Sequence, residues 1–184
     1  MRLLPLPVIA AINGPAIGAG LCFALACDIR MAAAHAKFGF TFVGLGLHPG
    51  MGITHLLASV AGYETAYKLL LSGDTFSGLE AKELRLVSQV SEDGPACLRE
   101  AMVLAKRIAH QSPVAVRLTV RSLRQKQDVG LEQALWREAD GQALGYSTPD
   151  CAEGIEAVAE KRAPRFVQYE SYADPRLPCP KSRL

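Results

Sequence analysis

Residues 7–28, reading PVIAAINGPAIGAGLCFALACD, constrain this chain more than any other stretch. The apolar run at 8–12 predicts a buried strand, because a strand covered on both faces shows no alternation. Asn13-Gly14 ends it, and Gly18-Ala19-Gly20 opens a helix predicted to continue through Leu25 to about Cys27. Glycine on either side of Ala19 lets the backbone turn tightly and approach a ligand closely. The first amides of a helix have no internal partner and lie at its positive dipole end. Such a turn suits a phosphate, a carboxylate, or a carbonyl oxygen that becomes an oxyanion during reaction.

A plain strand-to-helix connection with no ligand fits the same residues, since a lone G-x-G is a weak signal. A dinucleotide site fits them less well. It wants a third glycine or alanine in register and an acidic residue closing the next strand. That strand, predicted at 29–34, ends in Ala34-His35 with no acid beside it.

The stretch PVIAAINGPAIGAGLCFALACDIRMAAAHAKFGF resembles the heart of the crotonase (enoyl-CoA hydratase/isomerase) superfamily, and three later blocks agree in order. LGLHPGMGITHLL is similar to that family's glycine-rich turn and helix, and LLLSGDTFSGLEAKELRLVSQV to its helical hairpin and strand. PDCAEGIEAVAEKRAPRF is similar to its C-terminal helix. The resemblance implies an α/β fold of the crotonase ββα-spiral type and an acyl-CoA thioester as substrate, in fatty-acid β-oxidation. It implies no cofactor beyond the coenzyme A of the substrate itself. In the family, two backbone amides form an oxyanion hole around the thioester carbonyl. One belongs to the middle residue of the G-x-G turn, here Ala19 between Gly18 and Gly20.

The departures from the family pattern bear on activity. Hydratases of the family carry one glutamate at the position of Cys22 and another at that of Phe42. Adding water to an enoyl thioester needs a base for the water and an acid for the α-carbon, and phenylalanine supplies neither. Cys22 is a candidate nucleophile or base, against the plainer reading of a small core residue on the apolar face of a helix. His48, beside Pro49-Gly50, is the histidine nearest the family's acyl pocket and the other acid–base candidate. Lys161 and Arg162 fall where the family's last helix approaches CoA. Family members carry further chain before the strand at Pro7, so the resemblance implies a chain shortened at its start, with catalytic competence in doubt. It also implies trimers or hexamers, of this chain alone or with full-length relatives as a non-catalytic partner.

A chain of 184 residues with 49% hydrophobic content can bury one sizeable core. A net charge of +2 with few aromatics gives no basic stripe for nucleic acid. Five cysteines without C-x-x-C spacing read as reduced thiols. No histidines share metal-ligand spacing with a third donor, so no metal site is predicted. The longest apolar run, at 15–27, is too short to span a bilayer. Ser182-Arg183-Leu184 resembles the Ser-Lys-Leu peroxisomal address and follows a proline-rich segment, so an import receptor is the implied partner and the peroxisome the implied location, with mitochondrion or cytoplasm as alternatives.

Along the chain we expect a spiral core at 1–91, a helical region at 92–166 and an extended tail at 167–184. Strands are predicted at 37–40 and 86–90, and helices at 52–60, 63–71, 77–84, 92–111, from Pro113, at 130–146 and at 149–162. Ser77 reads as a cap, and Arg85 stands where the family has glycine, so that turn is expected to differ. Arg117, Arg121 and Arg124 share one helical face, as a solvated stripe or as a clamp for CoA phosphates. Asp28 is expected to brace its turn, His55 to pack, and His35 and His110 to lie at the surface.

Overall fold

Two small sheets carry the first half of the chain in the computed structural model, which describes residues 1–166. In the first, β1 (Ile9–Ile12), β3 (Ile29–Ala33) and β6 (Gln89–Ser91) run parallel in the order β1-β3-β6. In the second, β4 (Lys37–Gly39) lies between a parallel β2 (Ala16–Ile17) and an antiparallel β5 (Thr75–Ser77). Phe38 and Phe76, directly opposite on β4 and β5, stack with centroids 5.6 Å apart. The expected apolar coverage of both faces of β1 holds: Ala10 and Ile12 join the main core, Ile9 and Ala11 a smaller cluster around Met31, Cys97 and Ala101. β2 and β5 escape sequence reading because two or three residues cannot display a period.

Helices fill in between: α1 (Ala19–Leu25), α2 (Ile53–Ala61), α3 (Tyr63–Ser72) and α4 (Gly78–Glu83). From residue 94 the described chain is helical, with α5 (Gly94–Ala109), α6 (Pro113–Gln127), α7 (Leu131–Tyr146) and α8 (Pro149–Ala159). Asp93, Ser112 and Thr148 each cap the helix that follows, and a proline stands in the first two positions of each. Ser77 caps α4 in a reciprocal pair with Glu80. α5 packs on β1 and β3, which ties the helical region to the sheet.

The strand expected at 86–90 starts later. Leu86 N and Val87 N donate to Ala81 O at 2.8 and 3.4 Å, closing the end of α4, so pairing begins only when Ser88 N reaches Arg30 O at 2.8 Å. Arg85 takes φ 62°, so this turn keeps the left-handed conformation that favours glycine rather than departing from it. A side chain there costs about 1 kcal/mol. The C-terminal address Ser182-Arg183-Leu184 lies outside the described residues.

The arginine stripe divides. Arg117 and Arg121 are exposed, whereas Arg124 is buried and is neither solvated nor free for phosphate. Its guanidinium donates to Asp28 at 2.8 and 2.6 Å and to the carbonyls of Arg2, Leu4 and Leu6 at 3.0, 2.5 and 3.0 Å. Asp28 also accepts from Val8 N at 2.7 Å, so it braces the entry to β1, whereas the expectation placed its role in the turn that closes α1. Burial pushes the Asp28 carboxyl up, but the Arg124 hydrogen bonds, the Val8 amide and the Arg2 charge outweigh it and hold the group below its usual value.

Candidate active site

The G-x-G turn has the backbone that its sequence demands. Gly18 sits at φ 53°, ψ −119°, a conformation open to glycine, and its N–H donates to Gly39 O at 2.8 Å. Leu21 N and Cys22 N both return to Gly18 O at 3.1 Å. The amides of Ala19 and Gly20 precede this ladder, and the first amides of a helix have no partner within it. Ala19 and Gly20 are exposed, and a Cβ built at Gly20 would meet no atom within 4 Å. α1 is shorter than predicted, seven residues ending at Leu25. A helix this short carries little macrodipole, so any attraction for an oxygen at this end would rest on its local backbone amides.

Beneath this turn Cys22 is 1% exposed, and its Sγ lies 3.9 Å from Gly50 O. Burial, reinforced by the Glu138 carboxylate, pushes the Cys22 thiol up to about 12. A thiol so protonated at neutral pH is a poor nucleophile and base, so the candidate catalytic role of Cys22 gives way to that of a core residue. Phe42 is partly buried and packs against the main core.

His48 is exposed and its Nδ1 lies 2.5 Å from Pro49 O. It borders a cavity of about 530 Å³ walled by Val43, Thr54, His55, Tyr67 and Glu138 among others, and neither Ala19 nor Cys22 is part of that wall. The structure thus does not bring His48 and the Ala19 amide into one cavity. His55 is half-buried, as expected of a packing residue, with Nε2 2.7 Å from Gln127 O. At the end of α8, Arg162 pairs with Glu153 and Glu160, both at 2.5 Å, and Lys161 is exposed at φ 56°.

One buried polar residue near these candidates was not signalled by any motif. Glu138 on α7 is 1% exposed and, among the described residues, is the one buried carboxylate. It accepts from Gly52 N at 2.5 Å, Thr54 N at 2.8 Å and Thr54 Oγ1 at 2.5 Å. It thereby caps α2 from 84 residues away, where the N-cap Gly52 has no side chain to do so.

A sequence model described as Enoyl-CoA hydratase/isomerase matches residues 1–169. The chain belongs to this family. It is 42% identical over 166 residues to a mouse protein named methylglutaconyl-CoA hydratase, mitochondrial, a match covering 89% of this chain and 53% of that protein. It is 39% identical over 160 residues to the 2,3-dehydroadipyl-CoA hydratase of Escherichia coli, covering 87% of this chain and 62% of that one. A crystal structure of an enoyl-CoA hydratase from Mycobacterium avium subsp. paratuberculosis superposes with a TM-score of 0.86 at 32% identity, over 91% of this chain and 68% of that one. The fold is the crotonase-type α/β fold, and the chain spans about half the length of the mouse hydratase.

Proposed function

We propose that this chain binds acyl-CoA thioesters, with the Ala19 amide donating to the thioester carbonyl oxygen, in fatty-acid or branched-acid β-oxidation. The observation that carries this reading is the Gly18-Ala19-Gly20 turn, which opens α1 with Ala19 and Gly20 exposed, on a chain of this family. The acyl-CoA hydratases named among its relatives support the substrate class. Hydration by a carboxylate pair is not part of the proposal, because Cys22 and Phe42 offer no carboxylate and the Cys22 thiol stays protonated. Thermal melting of the 184-residue chain with millimolar acetoacetyl-CoA tests it. A ligand at about 100 times its dissociation constant adds roughly 2.7 kcal/mol, a clear upward shift.

A second reading has its own observation. Leu98 and Met102 on α5, Val114 and Leu118 on α6 and Trp136 on α7 are all exposed, apolar side chains that packing against another copy or a longer relative would cover. A cooperative melt that acetoacetyl-CoA leaves unmoved would favour this non-catalytic partner and contradict thioester binding.

For location, we propose peroxisomal import through Ser182-Arg183-Leu184. The names of the mouse relatives favour the mitochondrion instead. Removing Leu184 is expected to leave a tagged chain cytosolic; an unchanged punctate pattern overturns the peroxisomal reading.

A further inference from the structure

α7 turns one face toward the segment that runs beneath the candidate site. Glu138, Gly141, Gln142 and Gly145 are spaced 3, 4 and 7 residues from the first, which places them on a single helical stripe. Each of them meets residues 46–54. Glu138 holds Gly52 N and Thr54, and Gln142 Nε2 donates to His48 O at 3.1 Å. A Cβ added at Gly141 would stand 2.7 Å from the His48 ring, and one at Gly145 3.4 Å from Gly46 O. The far side of the gripped turn touches α1: Gly50 O faces the Cys22 sulfur. A continuous chain of contacts therefore runs from α7 through the 49–52 turn to the helix that presents the Ala19 amide.

We propose that Glu138 is a positioning residue: by seating the 49–52 turn under Cys22 it holds α1, and with it the thioester-binding face, in place. This rests on the thioester reading above for the identity of the ligand. The carboxylate suits the task because all three donors it meets are N–H or O–H groups, and two oxygens can accept from all of them. A carboxamide has one acceptor oxygen and would turn its NH2 toward a donor, leaving buried groups unpaired.

The test is peptide-resolved alkylation of the native chain by a small maleimide, comparing Glu138→Gln with the unaltered protein. Cys22 reports on the floor of the site, and Cys97, buried in the separate cluster with Met31 and Ala101, reports on general loosening. The expected result is Cys22 labelling faster by about tenfold with Cys97 unchanged, together with acetoacetyl-CoA affinity weakened by about tenfold. Cys22 labelling that does not change, or that rises in step with Cys97, overturns the proposal. Unaltered affinity in a variant whose parent binds the thioester overturns it as well. If Glu138→Gln does not fold, Thr54→Val removes one of the three donors and is read by the same contrast, with a smaller rise at Cys22. A parent protein whose melt ignores acetoacetyl-CoA overturns the thioester reading, while the Cys22–Cys97 contrast still decides whether Glu138 seats the turn.

Discussion

Arg124 and Arg117 occupy equivalent places on one face of α6 yet have opposite energetic standing. Arg124 is 7% exposed and ties Asp28 to three backbone carbonyls of the first six residues, whereas Arg117 lies in solvent. Removing one member of a buried pair leaves the other charge desolvated, which costs about 3 kcal/mol. Arg124→Ala is expected to lower stability to chemical denaturation by about that amount, and Arg117→Ala to change it by less than about 0.5 kcal/mol. Similar losses in both variants would contradict the division of the stripe. The Asp28 carboxyl is held below its ordinary value in the fold, so its contribution is present above the unfolded value near 3.8 and is lost as pH falls through the lower folded one. Asp28→Asn is therefore expected to weaken the fold at neutral pH, with the difference from the parent vanishing in acid below that range. The stripe was legible in the sequence as a face, but a 3.6-residue period does not say which member of a charged face meets a distant partner. Glu138 was illegible for the same reason: its partners lie 84 and 86 residues away, and nothing local marks the contact.

At the scale of elements, capping chemistry was readable and short pairing was not. Ser77, Pro113 and Gly73 punctuate helices where expected, because these residues act on the backbone within a few positions. The displaced β6 shows the limit: an apolar Leu86-Val87 pair reads as strand, but both residues are core side chains on a helix-closing turn. α8 docks through a close approach invisible to hydropathy. A Cβ at Gly154 would stand 2.6 Å from the carbonyl carbon of Leu45, a backbone atom in the short 3₁₀ turn Val43–Leu45 that cannot swing aside. Gly154→Ala is expected to destabilise by about 1–3 kcal/mol, since overpacking must displace α8 from that turn. Denaturant melts check it; a stability equal to the parent's would mean that the helix yields freely there.

For the whole molecule, α5 binds the helical region onto β1 and β3, and α7 and α8 fold over residues 42–54. The α/β class and the order of most elements followed from the sequence, since strand–turn–helix punctuation repeats through the first half. The candidate site was readable as a turn, Gly18-Ala19-Gly20, whereas its floor depends on a helix more than a hundred residues later. In the proposed thioester complex the Ala19 amide is the group offered to the carbonyl oxygen. The most direct test is the backbone amide proton resonance of Ala19 in isotope-labelled protein, followed as acetoacetyl-CoA is added. A stronger hydrogen bond deshields the proton, so the resonance is expected to move downfield with acetoacetyl-CoA and to hold its place with free coenzyme A. A Ala19 resonance that stays fixed while other amides respond would place the ligand elsewhere and contradict the account.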